Sequence, residues 1–183
     1  MIEFFKWLYK WLDQVGIPVL EYLKWLEETG FSVWVREDPS IWAFPVVLLL
    51  HTVGMGLCVG ISAGIDIRIL GFAPGLKLAP FERFFPIFWF GFAINAITGT
   101  MLVMQDATSK LTNPDFYIKL VFIALALISL KMIRNRVFRD PQLDQGPLPA
   151  NVKLLAALSL FSWLGTITAG RLLAYTGAVS GLG

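Results

Sequence analysis

The apolar positions of this chain gather into long unbroken runs rather than short alternations. From Ile41 to Ile65 there is no charged residue, and about 20 apolar residues suffice to span the hydrocarbon core of a bilayer. Three more such runs follow, from about Phe84 to Met104, Phe116 to Ile133 and Val152 to Tyr175. None shows the period-two alternation of a transmembrane barrel. The pattern predicts an all-α fold, a four-transmembrane-helix bundle over residues 39–183. Its spans lie at about 41–65, 84–104, 116–133 and 152–175.

The first forty residues are patterned differently. Phe4, Leu8, Trp11 and Val15 recur at helical spacing, with Glu3, Lys6, Lys10 and Asp13 on the other side. After Pro18, which can open a helix, Val19, Leu23 and Leu26 oppose Glu21, Lys24 and Glu28. Aromatic-rich amphipathic helices lie in the plane of the membrane interface, and the same faces would dock a partner protein. Residues 1–38 are therefore predicted to form an N-terminal amphipathic interfacial region, closed by Gly30. Lys6, Lys10 and Asp13 interrupt any apolar run there, so the region does not read as a signal peptide.

Composition narrows the chemistry. The chain is 56% hydrophobic and 15% charged, with a mean hydropathy of +0.67, where soluble domains carry about 25% charged residues. One membrane domain is expected, with the lipid bilayer and other membrane subunits or a second copy as partners. A net charge of +2, spread along the chain, gives no basis for binding nucleic acid. Cys58 is alone, which excludes an intrachain disulfide and any cysteine-based zinc or iron–sulfur centre. His51 is the only histidine, which excludes a bis-histidine haem within one chain. The loops after the first and third spans hold eight of the 15 Lys and Arg residues. The positive-inside rule then puts both termini in the periplasm of a bacterial inner membrane.

His51 lies about ten residues into the first span, near mid-bilayer, where an ionisable side chain is costly and a functional candidate. It shares a helix face with Met55 and Cys58, at i+4 and i+7, all able to bind soft or borderline metals. Three ligands on one helix form a line, so copper needs a further ligand, such as Met104 at the end of the second span. As an axial ligand to haem b, His51 would use room left by Gly54 and its neighbours, and Arg171 could pair with propionates. A quinone contact and a hydrogen bond to Asn95 or Thr98 are the other readings. Gly56, Gly60 and Gly64 form a small-residue ladder suited to close helix packing. Asp66 and Arg68 read as an interfacial anchor just past the span, with Arg83 or Arg134 as partners for Asp66. No hydrolase, nucleotide-binding or HExxH motif is present, so the chain is not expected to be catalytic on its own.

The run HTVGMGLCVGISAGIDIRILG, with TAGRLLAY in the last span, resembles an uncharacterised bacterial family of four-helix integral membrane proteins. In that family a first-span histidine precedes glycines and a D-x-R-x-L-G ending. More distantly it resembles b-type cytochrome and copper-resistance membrane proteins, whose span histidines hold haem or copper. The resemblance implies a ligand role for His51. The expected function is a small subunit of a bacterial electron-transfer complex, with a cofactor-free accessory subunit and a copper-handling protein as alternatives.

Overall fold

The computed structural model describes residues 16–140, 144, 146 and 148–179, with the backbone alone over 176–179. All regular structure among them is helical. Helix α1 covers 16–27 and α2 Gly30–Glu37; the four long helices are α3, Phe44–Leu70, α4, Phe85–Met104, α6, Pro114–Arg136, and α7, Ala150–Val179. A short helix α5, Ala107–Leu111, turns the corner between α4 and α6, and a 3-10 turn, Ala79–Phe84, leads into α4.

Proline and asparagine set where the long helices begin. Pro45, Pro86 and Pro114 occupy first-turn positions of α3, α4 and α6, where a missing N–H costs nothing. Asn113 caps α6 by accepting from Asp115 N at 2.9 Å. Helix α3 stops at Gly71, whose φ of 107° only glycine adopts without strain.

Four helical segments are long and apolar enough to cross a membrane. In the most apolar stretch of three of them only 17–22% of residues are buried. The rest of that apolar surface faces outward, which fits a lipid bilayer rather than water. Inside, α3 packs along α4 and α7, and α6 along α7. Ile65, Ile69, Phe85, Phe88, Leu130, Ile133 and Trp163 form the core. Phe88 meets Trp163 edge-on at 6.3 Å, and Phe85 meets Phe138 at 5.2 Å.

Helices α3 and α4 come backbone to backbone at a pair of glycines. A Cβ at Gly54 would lie 2.7 Å from Gly91 O, and one at Gly91 would lie 3.2 Å from Gly54 O. The Gly56–Gly60–Gly64 ladder looks the other way. Among the described residues, nothing lies within 4 Å of a Cβ placed at Gly56 or Gly60, and Gly64 meets only Phe81, at 3.8 Å.

Two expectations change. Gly30 opens α2 rather than closing the N-terminal region, because Thr29 supplies the cap, its Oγ1 accepting from Ser32 N at 3.4 Å. The first span also runs past Ile65 to Leu70, since no breaker precedes Gly71. Asp66 is therefore inside the bundle, fully buried, and not an interfacial anchor. Arg83 and Arg134 do not pair with it; they lie over the rings of Phe84 and Phe85.

Helix α2 is tied to the α4–α5 corner. Ser32 Oγ donates toward Met104 O at 3.3 Å, and Arg36 Nη1 donates to Gln105 O at 3.1 Å. The Glu27 carboxylate accepts from Thr108 N. Leu23 is the buried position of α1, while Tyr22 and Trp25 stack on its exposed side. The expected helix through Phe4 and Trp11 lies outside the described residues.

Candidate functional site around His51

His51 sits on α3 against a small-residue face of α4. Its Nδ1 is 3.1 Å from Asn95 O and 3.2 Å from Thr98 Oγ1. Asn95 O can only accept. The Thr98 hydroxyl donates to Ile94 O at 2.6 Å, so its oxygen too faces the ring as an acceptor. The donor Asn95 Nδ2 also stands 3.4 Å from Nδ1 but makes its shorter bond to the His51 carbonyl, so we assign the proton to Nδ1, which leaves a lone pair on Nε2. Asn95 Nδ2 donates back to His51 O at 2.8 Å, so ring and backbone are held by the same residue.

Glycine makes the room. A Cβ at position 99 would stand 3.1 Å from His51 Cε1. Gly54, one turn along α3, lets Asn95 come close, since a Cβ there would lie 2.9 Å from Asn95 N. On the sequence, Gly91, Asn95 and Gly99 stand four apart and so share one face of α4. That spacing was a legible signal for the receiving side of the site, and the reading above passed over it.

His51 is half-buried. Lys119 of α6 is within electrostatic reach of it and packs by its Nζ about 3.7 Å from where a Cβ of Gly170 would be. Lys119 lies five residues, about 7.5 Å, past Pro114 at the start of α6.

The other expected ligands are only partly gathered. Gly54 and Asn95 join His51 directly. Met55 lines a small internal cavity with Cys58, Phe92, Asn95 and Trp163. That cavity holds about 10 Å³, room for one water molecule and far too small for a porphyrin. Cys58 is buried and its thiol donates to Phe88 O at 3.6 Å. Seven residues of helix put it about 10 Å along the axis from His51, too far for one shared ion. Met104 lies five residues, about 7.5 Å, beyond Gly99, at the corner held by α2. Arg171 is exposed. Among the described residues, no three His, Cys, Asp or Glu side chains cluster as a metal site.

Comparison with family models, curated proteins and solved structures returned no match.

Proposed function

We propose that this chain is a small integral membrane subunit of a bacterial redox complex, in which His51 presents Nε2 to a quinol dissolved in the bilayer. The observation that supports this is the pinning of Nδ1–H by Asn95 O and Thr98 Oγ1. A ring held in this way offers an unprotonated nitrogen in a fixed direction, as ligating and proton-accepting histidines do. Quinol hydroxyls are donors and match that lone pair. The half-buried position, seven residues or about 10 Å into α3 rather than at its middle, is a depth that the head of a lipid-soluble quinol can reach.

Haem b on the same nitrogen belongs to this reading in one form only. With no room for it in the small cavity lined by Met55 and Asn95, haem would be held by His51 at a contact with another chain, with Arg171 available for its carboxylates. Copper held by His51, with Met55, Cys58 or Met104, is the third reading.

A cofactor-free accessory subunit is the second. The outward Gly56 and Gly60 support it, as do the exposed Trp25 and Trp34, which suit docking to other membrane chains. On either reading the basic loops face the cytoplasm of the inner membrane and the termini the periplasm.

The test uses the full chain purified from native membranes. A quinol-analogue photoprobe should label wild type near His51 and lose labelling in His51→Ala. Reduced-minus-oxidised spectra and metal analysis should be run on the same samples. A Soret band lost in His51→Ala would replace the quinol with haem, and copper lost with Met55→Leu would replace it with copper. No labelling, no Soret band and no metal would leave the accessory reading.

A further inference from the structure

The buried Asp66 has no part in the site above, and it lies about 22 Å along α3 from His51. We infer that Asp66, Ser62 and Ser159 form a binding site for a small monovalent cation of the sodium class. All three residues are fully buried. Ser62 Oγ stands 3.3 Å from Asp66 Oδ2 and 3.2 Å from Ser159 Oγ, and Ser159 is also within hydrogen-bonding reach of the carboxyl. The three groups thus form a triangle of oxygens drawn from α3 and α7.

The second carboxylate oxygen, Oδ1, is buried and has no hydrogen-bond partner. No ion pair reaches Asp66 among the described residues, because the nearby cations are committed elsewhere. Arg68, two residues on, donates to Pro74 O at 3.1 Å and to Leu76 O. Arg83 and Arg134 lie over phenylalanine rings, and Lys153 is exposed. A buried carboxylate held only by serine hydroxyls, with Oδ1 unpartnered, is expensive unless a positive charge joins it.

The spacing fits an ion better than a hydroxyl chain. O–H···O bonds cluster at about 2.7–2.8 Å, shorter than both distances here. A hard cation of calcium's size, as sodium is, holds oxygens about 2.3–2.6 Å away, which sets neighbouring ligands roughly 3.3–3.7 Å apart. The donors are all oxygen, which suits a hard cation rather than copper or zinc. One carboxylate balances one positive charge.

The experiment measures radiolabelled sodium binding and thermal unfolding of the full chain in nanodiscs, in sodium chloride against choline chloride at equal ionic strength and neutral pH. Saturable sodium binding and a melting temperature raised by sodium alone are expected in wild type. Asp66→Asn should abolish both, and Ser159→Ala should weaken binding roughly tenfold. Should Asp66→Asn fail to fold, wild type and Ser159→Ala still decide. Absence of saturable binding in wild type overturns the inference. So does an infrared carbonyl band from a protonated Asp66 that sodium does not remove, since a proton would then supply the charge. The photoprobe result at His51 is independent of either outcome.

Discussion

At His51 one proton decides what the ring can offer. With Nδ1–H spent on Asn95 O and Thr98 Oγ1, nitrogen-15 NMR of labelled protein should show the Nδ1-protonated tautomer. Asn95→Ala removes the return bond from Nδ2 to His51 O. Such bonds in membrane bundles are worth about 0.6–1.7 kcal/mol, so a loss of about 1 kcal/mol is expected in unfolding titrations, along with a mixed tautomer signal. Outside the membrane, Asp38 makes a separate prediction. Hydrogen bonds from Ser40, its hydroxyl first and its N–H at 2.7 Å second, hold the Asp38 carboxyl below the ordinary 3.8. A carboxyl lowered on folding contributes stability that is complete above the unfolded value and fades as the pH falls through the folded one. NMR titration should find the lowered value in wild type and a rise toward 3.8 in Ser40→Ala. The residue-scale chemistry of His51 was legible, since a hydrogen bond to Asn95 or Thr98 was among its readings. The tautomer was not, because it depends on where the Thr98 hydroxyl points.

Among the helices, glycine has two uses that spacing alone does not separate. Gly54 and Gly91 admit each other's backbone, whereas Gly56 and Gly60 meet nothing among the described residues. Gly54→Ala forces a methyl onto Gly91 O and should cost about 1–3 kcal/mol, the usual penalty of overpacking. Gly56→Ala should cost nothing and could stabilise α3 by up to about 1 kcal/mol, the helix-propensity difference. Unfolding titrations of the two variants in the same detergent test the contrast. Gly60→Leu should leave the isolated chain folded while weakening its association with any other helix, read by crosslinking in membranes. The ladder was visible in the sequence, but its direction was not. Both sides of α3 are apolar, one toward lipid and one toward the core, so hydrophobicity cannot orient it. The same blindness hid Asp66: a span judged by its uncharged length ends before the first charge, whereas the helix ends where the backbone must turn, at Gly71.

For the whole molecule, four apolar runs were enough to set the number of long helices, because backbone groups in hydrocarbon must bond within their own segment. The order of packing, with α3 and α7 in contact between α4 and α6, needed side-chain complementarity that runs of leucine and isoleucine do not encode. The proposed topology gives a direct outcome. A cysteine at Leu76 should react with an impermeant thiol reagent only after cells are opened, and one at Thr112 should react in intact cells. The native thiol, Cys58, is buried and should stay silent in both. The clasp of Ser32, Arg36 and Glu27 on the corner at Met104–Thr108 also constrains birth order. Those three residues leave the ribosome some seventy residues before the groups they grasp. The α1–α2 segment must therefore wait for these partners until α4 has been made and has crossed, and is among the last parts of the fold to settle.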